Sequence, residues 1–402
     1  MAVSGGADSL ALALLAHDWC RTSGRDLLVL TVDHGLREAS ASEARHVAAL
    51  MAARQIPCHI LKLQNLSAGS ALAARAREAR YQALCTACRD SGIIDLLLGH
   101  HLRDQAETLL LRQGKSSGPA GLAGMAGVFL RDGVRLIRPL LATRHQELRG
   151  YLREHHVRWV EDPSNQDQRA TRVRLRGGLT EEAIMALAAK AQAGAESRRS
   201  VESATAAWLA AHATIRPEGF AHLEFNHLEF DQRFVHLAAA SCPPVVLSAL
   251  IQMLAGLPYP PATKPIARLA EQLHPATLSG VRLIAAPRAN PGFLLLREQS
   301  AIAPDQPAQA GAMWDRRFRI IHRGDLPDGT TIGPLGADAA QFRDQSDLPA
   351  ILLRTLPAFR DRGSLLHVPF LPAGKHNPNT GTIVCFAPPR PAAGALFRAV
   401  RH

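Results

Sequence analysis

The sequence predicts an α/β protein with a doubly wound parallel sheet, followed by a helical middle region and a small α+β C-terminal domain. Strand-like apolar runs alternate with helical patterns over the first half of the chain, which is typical of a parallel sheet with helices on both faces. From Leu179 the composition changes to Ala-rich helix, and the last hundred or so residues carry short strands and many turns. These changes predict domains at 1–178, 179–303 and 312–402.

The N-terminal elements are predicted from apolar runs and helical spacing. Met1–Val3 resembles the end of a strand but is shorter than usual, so we expect the natural start to lie upstream. A capping box of Ser40 and Glu43 predicts where the second helix begins. Helices are predicted directly after Ser9 and at 40–54, 70–90 and 104–112; strands are predicted at 26–33, 58–63 and 93–98.

Later elements are shorter and separated by turn-forming residues. The glycine-rich interval 114–127 predicts a mobile loop, and an arginine cluster lies between residues 169 and 176. A proline-rich linker is predicted near 304–311. Helices are predicted at 144–156, 179–211, 234–255 and 264–273; strands are predicted at 134–137, 221–225, 318–322, 365–369 and 382–386.

The chain is strongly basic, with a net charge of +11 and a pI near 10.0 over 402 residues. That balance favours a polyanionic partner, with nucleic acid preferred over membrane, although a solvated arginine-rich surface would give the same composition. No apolar stretch approaches the ~20 residues of a membrane span, and no signal peptide is recognisable, which predicts a cytoplasmic protein.

The six cysteines are scattered and do not resemble a disulfide framework. Cys85 and Cys88 form a lone C-x-x-C within a helical pattern, without the second pair that would complete a zinc site. We therefore expect both to pack in the core.

A glycine loop, Ser4-Gly5-Gly6-Ala7-Asp8-Ser9, precedes the first helix. Glycines let the backbone approach a phosphate, and a helix N-terminus adds unpaired N–H donors. The loop is not a Walker loop, because no Lys follows the second Gly. Taken alone, it could also be an ordinary turn that ends in a helix cap.

Two further polar clusters follow predicted strands, at the sheet edge where open α/β sheets bind ligands. The first is Asp33-His34, and the second begins at His100 and runs into a helix. Asp104 and Glu107 are three residues apart and so share one face of that helix. Carboxylates beside a phosphate loop suit ATP-bound Mg²⁺, although an acidic helix start alone would explain them equally well.

Taken together, these motifs resemble the PP-loop (N-type) ATP pyrophosphatases, whose signature S-G-G-x-D-S matches Ser4–Ser9. The resemblance implies an adenine nucleotide alpha hydrolase-like fold. Within that superfamily the chain is similar to the tRNA(Ile)-lysidine synthetases, strongly over about residues 1–176 and weakly near 348–369. The supporting stretches are Val32–Arg37, Arg80-Tyr81, Gly99–His101, Asp104–Thr108, Arg138–Leu141 and Glu161–Asn165.

The resemblance implies an ATP-dependent ligase that acts on the wobble cytidine of an isoleucine tRNA with a CAU anticodon. The cytosine O2 would attack the ATP α-phosphorus and release pyrophosphate, and the ε-amine of free lysine would then attack C2 and expel AMP. A homodimer is compatible with this reading.

The resemblance also implies roles for individual residues. The nucleotide would contact Ser4, Gly5, Gly6, Ala7, Asp8, Ser9, Asp33 and His34. Asp8 and Asp104 would hold Mg²⁺. The catalytic group would comprise Asp8, His100, Asp104, Glu107, Arg80 and Arg172, with the acidic side chains and His100 near the lysine and the reacting base, and the arginines on phosphate or tRNA.

The sequence departs from the family pattern at three places. Arg103 replaces the first Asp of an Asp-Asp pair, Lys115–Gly118 replaces Arg-Gly-Ser-Gly, and Val173 replaces an Asn between two arginines.

Two alternative functions stay open at this point. A PP-loop tRNA thiolase would need a reactive cysteine, and a non-catalytic tRNA-binding protein would not need Asp8 and Asp104 intact.

Overall fold

The structure is a computed structural model that describes residues 1–36, 39–63, 72–114, 119–161, 178–224, 242–287, 291–374, 377–378 and 380–393. The chain forms two compact units, Met1–Val201 and Glu202–Gly394. The boundary falls inside a long helix, Glu181–His212. The division into domains at 1–178, 179–303 and 312–402 remains a prediction.

The first unit alternates strands and helices as predicted. Its strands are β1 (Val29–Asp33), β2 (Cys58–Lys62), β3 (Asp95–Leu97), β4 (Val128–Arg131) and β5 (Val134–Ile137). Its helices are α1 (Ala7–Ser23), α2 (Ala39–Ala52), α3 (Leu72–Asp90), α4 (Leu102–Gln113), α5 (Pro119–Leu122), α6 (His145–Glu154) and α7 (Glu181–His212), which continues into the second unit.

The segment Met1–Val3 lies between two parallel strand pairs and joins them. β1 pairs with β2, and β3 pairs with β5. The Val3 N–H donates to the Leu30 carbonyl at 3.0 Å, and the Ala2 N–H donates to the Leu97 carbonyl at 3.0 Å. Three residues therefore supply the hydrogen bonds that connect β1 to β3 and support the glycine loop.

Two apolar cores cover the faces of this sheet, as a doubly wound fold requires. Met1 and Val3 pack with α1, α2 and α6, whereas Ala2 packs on the opposite face with α3. The alternation follows from the period of two in extended backbone. This packing of Met1–Val3 on both faces of the sheet holds the start of α1 next to the ends of β1 and β3.

The first unit differs from the sequence prediction in three places. β4 adds an antiparallel edge strand, and α5 forms a helical turn where a loop was expected. The predicted capping box is wrong, because α2 begins at Ala39 and the Ser40 hydroxyl instead accepts a hydrogen bond from the His34 N–H at 3.1 Å.

The second unit contains a five-stranded antiparallel sheet in the order β6-β7-β10-β9-β8. These strands are β6 (Ala213–Arg216), β7 (Phe220–Glu224), β8 (Ala276–Leu278), β9 (Val281–Ala285) and β10 (Gly292–Arg297). Two helices, α8 (Pro244–Leu254) and α9 (Thr263–Glu271), pack against the sheet. The middle region is thus richer in strands than the sequence predicted. The helix expected over 234–255 begins at Pro244, whose ring suits a first helical position; residues 234–241 lie outside the described residues.

Two smaller antiparallel sheets complete the second unit, in the orders β11-β14-β15-β16 and β12-β13-β17. Their strands are β11 (Gln306–Pro307), β12 (Met313–Trp314), β13 (Phe318–His322), β14 (Thr331–Pro334), β15 (Pro357–Asp361), β16 (Ser364–His367) and β17 (Ile383–Phe386); a short helix is α10 (Ala350–Leu353), and 3-10 turns lie at Gln299–Ala301 and Gly336–Gln345. A buried ionic group lies in this region: the Arg317 Nε donates to Asp315 Oδ2 at 2.7 Å, and Arg297 donates to the same carboxylate.

Among the described helices, we find none whose length and apolar character would suit a membrane span.

Candidate active site

The glycine loop connects Val3 to α1 and is braced by the hydroxyl of Ser9. That hydroxyl donates to the Gly6 carbonyl at 3.0 Å and accepts the Ser4 N–H at 3.1 Å. Gly5 has a φ of +85°, a conformation that favours glycine, and Gly6 is the N-cap of α1. The loop therefore presents the N-terminus of a 17-residue helix at the carboxyl edge of the sheet.

Gly99 allows α1 to approach the end of β3 closely. A Cβ at Gly99 would lie 3.0 Å from both the N and the Cα of Ser9, and 3.2 Å from the carbonyl carbon of Asp8. On the other side of the loop, the Val160 N–H donates to the Gly5 carbonyl at 2.9 Å. Backbone contacts thus hold the loop on both sides.

Asp8 lies in the first turn of α1 and faces two imidazoles. His145 Nδ1 is 2.7 Å from Asp8 Oδ1, and His101 Nε2 is 3.6 Å from Asp8 Oδ2. Burial alone would raise the pKa of Asp8, but the hydrogen bond with His145 and the electrostatic interactions with His101 and His145 lower the pKa below its usual value. Asp8 is therefore ionised at neutral pH.

His101 caps α4 and links Asp8 to Asp104. Its Nδ1 accepts the Arg103 N–H at 3.1 Å, while its own N–H donates to Asp104 Oδ2 at 3.0 Å. Because Nδ1 is an acceptor, the proton of the neutral ring is on Nε2. That nitrogen lies 3.6 Å from Asp8 and 3.8 Å from Asp104, so both carboxylates converge on one N–H group.

The ligand atoms of Asp8, His101 and His145 lie within 4.8 Å of one another, which is the spacing of a metal site. A protonated Nε2 cannot also coordinate a metal, so His101 in this tautomer is not a ligand. The donors that remain beside Asp104 are mainly carboxylate oxygens, which suit Mg²⁺ together with phosphate oxygens. The site therefore fits the magnesium that the sequence predicts at Asp8 and Asp104.

Asp104 and Glu107 occupy the same helix but different environments. Asp104 is partly exposed, whereas Glu107 is fully buried. The structure thus brings Asp104 to the His101 side chain that also faces Asp8, whereas Glu107 lies in the protein interior. A direct contact of Glu107 with a substrate remains a prediction.

His100 lies in strongly basic surroundings. Burial and the nearby Arg138 lower the pKa of His100 to about 4, with smaller contributions from Arg77 and Arg80 and an opposing one from Asp104. Its buried Nδ1 has no hydrogen-bond partner in the part of the chain that the structure describes. His100 is therefore neutral at pH 7. Arg80 lies exposed on α3, near enough to contribute to this field.

Asp33 and His34 lie at the carboxyl end of β1, as expected. Hydrogen bonding by Ser40 and by the Gly35 N–H lowers the pKa of Asp33 below its usual value, against the opposing effect of burial. The Leu36 N–H donates to His34 Nδ1 at 3.3 Å. These contacts order the turn after β1, and nucleotide binding by its two polar side chains remains a prediction.

Several predicted positions lie outside the described residues, namely Arg172, Val173, the other residues of the 169–176 arginine cluster and Lys115–Gly118.

The sequence analysis missed one residue of the site, His145, which is 137 positions from Asp8 in the chain. No local signal marks His145, because its place depends on the packing of α6 against α1. His101 was within reach of sequence reasoning, since it belongs to the Gly99–His101 motif.

All six cysteines are free, and Cys85 and Cys88 are fully buried on the α3 side of the sheet. Burial raises the pKa of the Cys85 thiol to about 11 and that of Cys242 to about 12. Burial also raises the pKa of the other four. The expectation that Cys85 and Cys88 pack in the core is confirmed.

Comparison with known proteins supports the family assignment. A profile of the PP-loop domain matches residues 1–183. The tRNA(Ile)-lysidine synthase of Mesorhizobium japonicum is 36% identical over 96% of this chain and 88% of its own length. The protein of the same name from Hyphomonas neptunium is 37% identical over 71% of this chain and 78% of its own.

Among solved structures, a U34-tRNA thiolase from Methanococcus maripaludis is similar over 49% of this chain and 70% of that chain. The TM-score is 0.42 and the sequence identity is 16%. A likeness at this level carries no argument about function.

Proposed function

The chain belongs to the tRNA(Ile)-lysidine synthase family, and we propose that it joins free lysine to C2 of the wobble cytidine in a CAU-anticodon isoleucine tRNA. ATP would be converted to AMP and pyrophosphate. The observation that carries this proposal is the meeting of the glycine loop with the first turn of α4 around Asp8. The N-terminus of α1, whose N–H groups would bind phosphate, lies with two carboxylates at one edge of the sheet.

In the first step, the cytosine O2 would attack the α-phosphorus of ATP, and the bond to pyrophosphate would break. The N–H groups at the start of α1 and the exposed Ser4 hydroxyl would bind the leaving pyrophosphate. Ser9 supports the loop from within, because its hydroxyl is already shared between Gly6 and Ser4.

Asp8 and Asp104 would hold Mg²⁺ against the phosphates. The ion would supply charge neutralisation for the departing pyrophosphate. The Nε2–H of His101 faces both carboxylates, one from α1 and one from α4. His145 fixes the remaining oxygen of Asp8.

In the second step, the lysine ε-amine would attack C2 and expel AMP, which carries away the former O2 of the base. Asp104 is the partly exposed carboxylate that would hold the cationic amine before its proton is lost. His100 is neutral and would act mainly as a hydrogen-bond acceptor, because its low pKa makes it a weak base.

The thiolase alternative has little support in the described site. Sulfur transfer needs a thiolate, whereas burial raises the pKa of every cysteine in this chain. A non-catalytic tRNA-binding role is opposed by the presence of both Asp8 and Asp104, whose carboxylates lie beside the same nitrogen of His101.

The proposal also includes free lysine as co-substrate, a cytoplasmic location and a homodimer.

Omission of single components tests the proposal. Purified protein is incubated with Mg·ATP, lysine and an unmodified CAU-anticodon isoleucine tRNA transcript, and AMP and pyrophosphate are measured. We expect full turnover only when all are present. Turnover that does not require lysine, or that proceeds with sulfide in its place, would contradict the proposal. The absence of turnover despite tight tRNA binding would favour the non-catalytic alternative.

A further inference from the structure

An arginine-lined cavity of about 390 Å³ lies beside Asp8 in the first unit. His145 contributes to its wall and also contacts Asp8. His145 therefore connects the wall of the cavity to Asp8 at the start of α1. The other polar residues of the wall that matter here are Arg103, Arg144, Arg149, Arg153 and Glu181.

The basic wall follows from the amphipathic character of α6. His145, Arg149 and Arg153 recur every four residues and so share one face of this helix. Leu148 and Leu152 are buried in the core that α6 shares with α1. Because the apolar face is fixed against α1, the arginine face is directed toward the cavity.

The charge of the cavity wall is unbalanced. Glu181 is the one acidic side chain among the described residues that line it, against four arginines, of which Arg149 is paired with Glu161 outside the lining. Arg149 is held in place by Glu161, at 2.8 Å, and by the ring of Trp159. Arg153 and Arg144 are exposed at the ends of this face. Clustered guanidinium groups repel one another unless an anion lies between them, and they match phosphate oxygens in geometry.

We propose that this cavity binds the RNA backbone phosphates that flank the reacting base, an inference that rests on the proposed function. The phosphates of ATP would lie at the glycine loop, none of whose residues belongs to the described lining of this cavity. The single carboxylate of free lysine needs fewer than four guanidinium groups and far less than 390 Å³. The polynucleotide is the remaining substrate, and its phosphates must come close to the α-phosphorus together with the base.

Removing charge from the wall tests this inference. In Arg144→Gln and Arg153→Gln, we expect the Kd for the CAU-anticodon tRNA transcript to rise about tenfold each, because one phosphate contact is lost. The salt dependence of log Kd should become shallower by about 1. KM values for ATP and lysine should stay within about twofold of the original, because the affected contacts are to RNA.

Arg21→Gln is the matched control. Arg21 is exposed in the last turn of α1, 14 residues and so about 20 Å along the helix from the glycine loop. We expect its tRNA affinity to be unchanged. Arg153→Lys retains the charge and should recover most of the affinity that Arg153→Gln loses.

A modified RNA locates the contact. A tRNA with uncharged methylphosphonates flanking the wobble cytidine should bind the original protein about tenfold more weakly, and bind the Arg144→Gln/Arg153→Gln variant with no further loss. If the two losses instead multiply, or if tRNA affinity is unchanged while KM for ATP or lysine rises, the inference is overturned. These tRNA affinities are measured without turnover. A protein that proved inactive would therefore refute the proposed function, whereas the binding data would still test the phosphate contact.

Discussion

At the scale of single residues, Asp8 is central to the proposed reaction because both of its carboxylate oxygens are near a histidine of the site. One of its oxygens is fixed by His145 and the other faces the Nε2–H of His101. These contacts lower the pKa of the carboxyl group, so the negative charge is present at the pH of the reaction. Charge, more than shape, is therefore what this position supplies.

Replacing Asp8 by Asn removes the charge and keeps the shape. We expect Asp8→Asn to lower lysine-dependent AMP release at least about 100-fold, as for the loss of other transition-state charge contacts, with the Kd for tRNA nearly unchanged. The Asp104→Asn variant should behave alike. Asp26→Asn, exposed before β1 at the opposite edge of the sheet, is the control and should remain active. Loss of tRNA binding in both site variants would instead indicate structural roles.

His100 makes stability depend on pH in a defined direction. Its folded-state pKa of about 4 lies below the ordinary value of 6.5, so between these values the unfolded chain binds a proton that the folded chain does not. Stability is therefore fully present above pH 6.5 and falls as the pH drops toward 4. From pH 6.5 to 4.5, the original protein should lose on the order of 2 kcal/mol more unfolding free energy than His100→Gln. Urea unfolding at each pH measures this; parallel curves for the two proteins would refute it.

At the scale of secondary-structure elements, the site depends on how closely α1 approaches β3. A methyl group at Gly99 would press on the backbone of Ser9 and Asp8. Backbone has less freedom to yield than the end of a side chain. The start of α1 would therefore have to shift.

Gly99→Ala should lower the free energy of unfolding by about 1–3 kcal/mol, the usual cost of overpacking, and reduce turnover as well. Gly150→Ala is the matched control, since Gly150 lies within α6 with no atom within 4 Å of an added Cβ. It should raise stability by up to about 1 kcal/mol through helix propensity. Thermal unfolding of the two variants measures both effects. Equal stability of Gly99→Ala and the original protein would contradict the close-approach argument.

The sequence predicts elements best where one residue pattern decides the structure. Strands β1 and β3 follow from continuous apolar runs, and the glycine loop from Gly5 and Gly6. The hairpin of β4 and β5 was missed although Asp132-Gly133 was a usable turn signal. Both residues have positive φ, as a two-residue hairpin turn prefers.

Other features could not be predicted because they depend on tertiary packing. The contact of His145 with Asp8 requires α6 to lie on α1, and the burial of Glu107 requires α4 to be covered. A local pattern records that Asp104 and Glu107 share a helix face, but not which of them reaches solvent. The sequence could therefore propose residues for the site but could not predict which of them are buried or which partners they have.

At the scale of the whole molecule, the net charge of +11 indicates a polyanionic partner. We expect tRNA affinity to fall steeply with KCl, with a slope of log Kd against log salt of about 3 or more, because each neutralised phosphate releases counterions. Filter binding across a range of KCl concentrations measures the slope. Sucrose at matched osmolarity should leave Kd unchanged, and a flat response to KCl would contradict an electrostatic tRNA surface.

The central claim is that this chain forms a bond between lysine and the wobble cytidine. The most direct measurement is mass spectrometry of nucleosides from a CAU-anticodon isoleucine tRNA after reaction with Mg·ATP and isotopically labelled lysine. Because AMP leaves with the O2 of the base, we predict a nucleoside with the mass of cytidine plus labelled lysine minus water, at the wobble position alone. Unmodified cytidine after AMP release, or a base in which sulfur has replaced oxygen, would contradict the claim.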